Sequence, residues 1–175
     1  MRRIVLTFGL LGGAVLAVTM IATMPFEDKL AFGISLLLGY TTMVLSALFI
    51  YFGVRSYREN VSGGRLTFAR GFAVGILIAL VTACCYVATW EVIYFKFMPD
   101  FADKYAAKMV QKAQASGATP EKIQKAKQDA EHFRQSYNNP FVNVGMTFLE
   151  ILPVSLLATL LSAAVLRRKS APQSA

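Results

Sequence analysis

The chain has 175 residues, of which 55% are hydrophobic and 16% are charged, whereas a soluble domain averages about a quarter charged residues. The charged residues fall in short blocks between long apolar runs, which excludes an ordinary soluble domain and is typical of a membrane protein. The formal net charge of +8 does not indicate nucleic acid as a partner, because the basic residues flank the apolar runs. We therefore expect the lipid bilayer to be the main partner.

The first apolar run covers residues 4–24, and a spanning helix needs about 20 residues. Arg2 and Arg3 leave a cleaved signal peptide as an alternative reading. The run is long for a signal peptide, and no clear cleavage site precedes Pro25. A retained transmembrane helix is therefore favoured.

The second apolar run covers residues 32–53 after a short polar turn, and we expect Gly53 to end its helix. A basic connector follows, in which Thr67 is a candidate N-cap for the next helix. Its arginines are candidate contacts for anionic lipid or a cytosolic partner, although control of membrane topology explains them equally well. These arginines are Arg55, Arg58, Arg65 and Arg70.

The third and fourth apolar runs cover residues 71–97 and 141–166, and each is long enough to span. Small residues recur every four positions in the third run, and the first run contains a GxxxG motif. Small residues at this spacing allow helix backbones to approach closely. The residues are Gly71, Gly75, Ala79 and Ala83 in the third run, and Gly9 and Gly13 in the first.

Residues 99–139 are polar and carry two helical patterns. Asp100 and Thr119 are candidate N-caps, with Pro120 at the first position of the second helix and a turn at Gly117. Apolar residues recur at intervals of three and four in both helices, so both are amphipathic. The segment is therefore predicted to be an extracytoplasmic helical hairpin between the third and fourth spans.

The distribution of charge predicts the orientation. Four spans place both chain ends on one side of the membrane, and that side carries nine basic residues against Glu59 alone. The opposite side also carries nine basic residues, but seven acidic residues accompany them, and most lie far from a span end. We predict that both termini are cytoplasmic, that the hairpin is periplasmic, and that the protein is integral to the bacterial inner membrane.

Two carboxylates, Glu91 and Glu150, lie inside apolar runs, where an ionisable side chain costs about 2.5–3.5 kcal/mol on insertion scales. Glu91 follows Arg70 by 21 residues and Glu150 precedes Arg167 by 17, which is roughly 31 and 25 Å along a helix axis. Both are therefore expected in the outer half of the bilayer, about one helical turn apart in height. If they face each other, they form a candidate site for a shared proton or a bound cation.

Each glutamate also has a simpler interpretation. Glu91 lies beside Trp90 in a predicted interfacial aromatic belt and can reach the headgroups or pair with Lys96. Glu150 can be neutral and hydrogen-bonded, and Pro153 one turn later frees a backbone carbonyl near it. Further oxygen ligands for the candidate proton or cation site are Thr89, Tyr94 and Thr147.

No motif typical of an enzyme, a cofactor site or a metal site is visible in the sequence. Cys84 and Cys85 are adjacent and inside an apolar run, so they are expected to be packing residues rather than a disulfide or a zinc site. The lone His132 lies in the predicted hairpin, where a surface residue is expected. We predict a protein that is not an enzyme and that has neither a cofactor nor a metal site.

Six short blocks stand out along the chain: Gly39-Tyr40-Thr41, Phe52-Gly53-Val54-Arg55-Ser56-Tyr57-Arg58, Gly63-Gly64-Arg65, Trp90-Glu91, Asp103-Lys104-Tyr105 and Phe148-Leu149-Glu150 with Pro153. With these blocks the sequence resembles an uncharacterised bacterial membrane protein family, domain of unknown function 4199. The resemblance covers nearly the whole chain and implies an inner-membrane protein with four helices. It implies no activity and gives neither glutamate a role.

Three hypotheses for function remain. The leading one is a non-enzymatic assembly or interaction protein, which forms homo-oligomers or binds a membrane or periplasmic partner through the hairpin at 99–139. The second is a small proton- or cation-coupled carrier or channel that uses Glu91 and Glu150. The third is a lipid-binding membrane protein that uses the arginines of the connector.

Overall fold

The computed structural model describes residues 1–26 and 32–167. Arg168, Lys169 and most of the predicted polar turn after the first run lie outside the described residues. A short 3-10 turn, Met24–Phe26, follows the first helix. The described residues form six α-helices, which are α1 (Arg2–Thr23), α2 (Phe32–Asn60), α3 (Phe68–Phe97), α4 (Phe101–Ala115), α5 (Pro120–Tyr137) and α6 (Pro140–Leu166).

Four of these helices, α1, α2, α3 and α6, are long and apolar enough to cross a membrane. They contain 22, 29, 30 and 27 residues, which is about 33–45 Å at 1.5 Å per residue. The hydrocarbon core of a bilayer is about 30 Å thick. The prediction of an all-α, multi-pass membrane protein with four transmembrane helices is confirmed.

The prediction that the second helix ends at Gly53 is wrong, because α2 continues to Asn60. Gly53 is tolerated inside the helix because its missing side chain leaves room for Ile78 of α3; a Cβ there would overlap the Ile78 side chain. An ion pair from Arg55 to Glu59, one turn apart, stabilises the added turns.

The described residues divide into two compact units. The first comprises the described residues of 1–89 and 148–167, and the second comprises Trp90–Thr147, so α3 and α6 contribute residues to both. The apolar core of the first unit includes Ile50 and Val54 of α2 and Ile78 of α3, all almost fully buried. Burial of such side chains against neighbouring helices fixes which faces of α2 and α3 point inward.

In the first unit, α1 packs closely against its neighbours through glycines. A Cβ at Gly9 would lie 2.6 Å from Val81 Cβ, and one at Gly13 would overlap the Cys85 side chain. The hydroxyls of Ser46 and Thr82 donate hydrogen bonds to backbone carbonyls of α1, at 2.9 and 3.1 Å respectively. The GxxxG motif of the first run therefore lies against α3, and the predicted close helix contact is confirmed.

The small residues of the third run also lie at a helix contact. A Cβ at Gly75 would lie 2.8 Å from Thr159 Cγ2, and one at Gly71 would lie 3.3 Å from Ala163 Cα, both on α6. Ala83 further along α3 is buried. The predicted close packing of this stripe on a neighbouring helix is confirmed at its first two positions.

In the second unit, α4 and α5 pack against each other across a short connection. Gly117 in this connection has φ +66°, a conformation that favours glycine. The rings of Tyr105 on α4 and Phe133 on α5 lie with their centroids 4.9 Å apart. Arg134 of α5 donates a hydrogen bond to Asp103 of α4 at 3.3 Å, so polar contacts flank the aromatic ones.

The ends of these helices differ in detail from the prediction. Asp100 and Thr119 occupy the N-cap positions of α4 and α5, but neither side chain bonds to the helix backbone. Asp100 instead forms an ion pair with Lys104 at 3.1 Å. By contrast, Thr67 caps α3 as predicted, because its hydroxyl accepts a hydrogen bond from the Arg70 N–H at 3.3 Å.

The carboxylate of Glu131 on α5 is bonded by two side chains of its own helix. Arg134 donates a hydrogen bond to Glu131 at 3.0 Å, and Gln135 donates a second one at 2.7 Å. The hydrogen bond from Arg134, and then that from Gln135, holds the pKa of Glu131 below its ordinary value. The carboxylate is therefore ionised at neutral pH, and α5 keeps a charged outer face.

Candidate functional site

Glu150 lies close to the middle of α6, three residues before the central Pro153 of a helix that covers Pro140–Leu166, which is about 4.5 Å along the axis. Its side chain is exposed at the surface of the protein. The hydroxyl of Tyr86 on α3 donates a hydrogen bond to Glu150 Oε2 at 3.1 Å. Tyr86 is itself 8% exposed, so a buried phenol supports a carboxyl group that faces outward.

Glu91 has a different environment in the second unit. It is partly buried on α3, and its Oε1 atom is buried without a hydrogen-bond partner among the described residues. A buried polar atom without a partner costs about 1–3 kcal/mol. Such an atom indicates a missing contact, which a water molecule, a proton or a ligand would supply.

A polar network lies next to Glu91 in sequence. The indole N–H of Trp90 donates hydrogen bonds to the Tyr137 hydroxyl at 2.8 Å and to Asn143 Oδ1 at 3.2 Å. The Thr147 hydroxyl also donates to Asn143 Oδ1, at 3.3 Å. Because the indole N–H can only donate, the Asn143 oxygen is oriented toward Trp90.

Asn143 is the most buried polar residue of this network, with 0% exposure. Its oxygen accepts two hydrogen bonds, but its Nδ2 atom has no partner among the described residues. The second unit therefore contains one buried acceptor without a partner, Glu91 Oε1, and one buried donor without a partner, Asn143 Nδ2. A small polar molecule with both donor and acceptor capacity would satisfy either of them.

The hydroxyls predicted as extra ligands have other partners. Tyr94 donates to Asn138 Oδ1 at 2.9 Å, and Thr147 donates to Asn143. The Thr89 hydroxyl donates to the Cys85 carbonyl of its own helix at 2.8 Å. Each hydroxyl oxygen keeps acceptor capacity, so a role at a cation site stays a prediction for all three.

The two glutamates belong to different units, Glu91 to the second and Glu150 to the first. The prediction that they face each other and share a proton or a cation therefore stays a prediction. Within residues 1–26 and 32–167, no group of three or more His, Cys, Asp or Glu side chains is arranged to hold a metal ion.

The sequence does not predict the partners of these groups. Nothing in the sequence distinguishes Tyr86 from the other aromatic residues of the third run. Asn143 did give a signal, because an uncharged polar residue at the start of an apolar run needs a hydrogen-bond partner when it is buried. The sequence does not reveal that this partner is Trp90.

The four arginines assigned to the connector divide between helix and loop. Arg55 and Arg58 lie on the last turns of α2, where both donate hydrogen bonds to Glu59 Oε1, at 3.0 and 3.1 Å. Arg65 lies in the loop and Arg70 in the first turn of α3, and both are exposed. Arg55 and Arg58 therefore share the Glu59 carboxylate, whereas Arg65 and Arg70 lie exposed at the surface.

Four spanning helices, with polar groups placed at defined positions along them, define a multi-pass α-helical membrane protein. The chain belongs to the family described as Protein of unknown function (DUF4199), whose model matches residues 7–168. No curated protein and no solved structure matches the chain.

Proposed function

We propose that this protein is a non-enzymatic assembly protein of the bacterial inner membrane, which binds a transmembrane helix of a partner through the surface around Glu150. The single observation that carries the proposal is the position of Glu150, which is exposed near the middle of an apolar helix. Facing lipid, an ionised carboxylate costs about 2.5–3.5 kcal/mol on insertion scales. Contact with a protein removes that cost.

The chemistry of the site defines the partner. A carboxylate has about four acceptor positions, and Tyr86 occupies one of them. Leu157, on the same face of α6 two turns later, is 58% exposed. The surface therefore fits an apolar helix that carries one hydrogen-bond donor or one cationic side chain at the depth of Glu150.

Charge supports the orientation that belongs to this proposal. Both termini are cytoplasmic, because nearly all the basic residues on their side are unaccompanied by acidic ones. The α4–α5 pair is then periplasmic, where its charged outer face offers a second surface to a partner. Protease added to spheroplasts should reach α4 and α5, and inverted membrane vesicles should protect them.

Photo-crosslinking tests the proposed partner surface. A photoreactive amino acid at Leu157 should form a protein adduct in membranes, whereas one at the similarly exposed Val18 of α1 should react with lipid. Glu150→Leu should abolish the Leu157 adduct, and Glu150→Gln should retain most of it because the amide still accepts and donates hydrogen bonds. Mass spectrometry of the adduct distinguishes a second copy of this chain from another protein.

Two results would contradict this assignment. If Leu157 yields only lipid adducts, the surface around Glu150 does not bind a helix. If an adduct forms equally well with Glu150→Leu, the contact exists but the carboxyl group does not carry it.

A second candidate function is a proton- or cation-coupled carrier or channel that uses Glu91 and Glu150. The unpartnered oxygen of Glu91 and the unpartnered amide of Asn143 favour it, because both would be satisfied by a transported species or its water. In proteoliposomes, Glu91→Gln and Glu150→Gln should each abolish proton or potassium flux, whereas Glu59→Gln outside the apolar core should not. Flux from the unmodified protein no faster than from protein-free liposomes would rule the candidate out.

A further inference from the structure

The basic connector, residues 55–70, necessarily lies at a membrane surface. It joins α2 to α3, which both qualify as membrane spans, and only residues 61–67 separate the two helices. The connector contains four arginines against Glu59 alone. Charged groups in this position lie within reach of lipid headgroups.

The connector is held in one conformation by contacts within the first unit. Leu66 is 2% exposed and belongs to the same apolar core as Val54 and Leu166. Gly63 and Gly64 have φ of +58° and +78°, and the Gly64 N–H donates to the Arg58 carbonyl at 2.9 Å. A rigid frame of this kind lowers the entropic cost of binding, because the arginines need little further ordering of the backbone.

Exposed apolar side chains accompany the arginines. Phe68 at the start of α3 is 41% exposed and stacks on Phe72, with ring centroids 6.1 Å apart. Val61, which directly follows α2, is also exposed. Guanidinium groups beside exposed apolar side chains fit a ligand that has a phosphate group above a hydrocarbon region.

We propose that the basic connector is a binding site for anionic phospholipid, with Arg65 and Arg70 as the phosphate-binding residues. Neither arginine forms an ion pair within the described residues, so both are available to a phosphate. The other two arginines of the connector are already hydrogen-bonded, because Arg55 and Arg58 both donate to Glu59 Oε1. Glu59 therefore limits the affinity of the site. This inference is independent of the proposed assembly function.

Lipid selectivity of the full-length protein tests the site. The protein is reconstituted in phosphatidylcholine bilayers, and spin-labelled phosphatidylglycerol and phosphatidylcholine report their relative association constants at the protein surface. Each basic residue near an anionic surface changes binding by about fivefold. The double variant R65Q/R70Q should therefore lose most of the preference for phosphatidylglycerol, whereas K122Q/K125Q, which removes two exposed charges from α5, should keep it.

Glu59→Gln gives a result of the opposite sign, which simple damage to the fold would not produce. Removal of the carboxylate frees Arg55 and Arg58 and raises the net charge of the connector by one unit, so the preference for phosphatidylglycerol should rise by about fivefold. The proposal is overturned if R65Q/R70Q keeps the preference, if K122Q/K125Q loses it equally, or if Glu59→Gln leaves it unchanged or lowers it.

Discussion

Tyr137→Ala is expected to unfold the α4–α5 pair, with a loss of about 3–5 kcal/mol of stability, the range for truncation of a large buried aromatic side chain. Tyr137 is 7% exposed, and its ring contacts those of Tyr94, Phe101 and Phe133, with centroids 5.5, 5.9 and 4.8 Å away. Truncation leaves a cavity at the centre of this aromatic cluster. It also removes the hydroxyl that accepts the Trp90 N–H.

Hydrogen exchange of the backbone amides of α4 and α5 measures this loss. Exchange should accelerate strongly in Tyr137→Ala and only slightly in Tyr137→Phe, which keeps the ring and removes the hydrogen bond from Trp90, worth about 1 kcal/mol. Tyr40→Ala is the matched control, because Tyr40 on α2 is 51% exposed. Unchanged protection of α4 and α5 in Tyr137→Ala would show that the aromatic cluster does not hold the pair together.

Trypsin digestion of membranes also compares the stability of the α4–α5 pair in Tyr137→Ala and in the unmodified protein. It reports in addition on which side of the membrane the pair lies. The lysines of α4 and α5 should be cut faster in Tyr137→Ala than in the unmodified protein when trypsin is added to spheroplasts. If trypsin instead cuts these lysines in inverted vesicles, the α4–α5 pair is cytoplasmic and the proposed orientation is wrong. The comparison of stability between Tyr137→Ala and the unmodified protein would still hold.

The transmembrane helices could be predicted from sequence because one physical requirement dominates. Lipid offers no hydrogen-bond partner to a backbone, so a long apolar run has to be helical. The end of α2 could not be predicted in the same way. Gly53 normally signals a helix end, but here it lies inside α2, where its missing side chain makes room for Ile78 of α3.

The polar residues of the candidate site can be identified from the sequence, but their contacts cannot. A glutamate in an apolar run is conspicuous, and both glutamates could be singled out from sequence. Their environments depend on which face of each helix points inward, and α6 has almost no amphipathic pattern to indicate it. As a result, the exposure of Glu150 and its bond to Tyr86 had no sequence signal.

Helix packing in the first unit shows why its glycines matter more than its apolar side chains. In lipid, apolar side chains gain little from leaving one hydrocarbon environment for another, so close packing and hydrogen bonds drive association. Gly9 and Gly12 supply both, because their carbonyls accept hydrogen bonds from Thr82 and Ser46. A side chain at either glycine would separate the hydroxyl from its acceptor.

G9A/G13A is expected to destabilise the packing of α1 by about 1–3 kcal/mol per site, the usual range for overpacking, because the added methyl groups would overlap Val81 and Cys85 of α3. In a chain of this size, each kcal/mol lowers the melting temperature by about 2–4 °C. Gly39→Ala is the matched control, because a Cβ there meets nothing within 4 Å. It should leave the melting temperature unchanged or raise it, since alanine favours helix more than glycine does by about 1 kcal/mol.

The reactivity of the Cys85 thiol reports directly on the contact between α1 and α3. Cys85 packs against Gly13, so separation of α1 from α3 should expose its thiol and accelerate its reaction with a maleimide. A Cys84→Ser background removes the neighbouring exposed thiol. If Cys85 reacts at the same rate with and without G9A/G13A while the melting temperature falls, the added methyl groups act elsewhere and the α1–α3 contact is not the source of the lost stability.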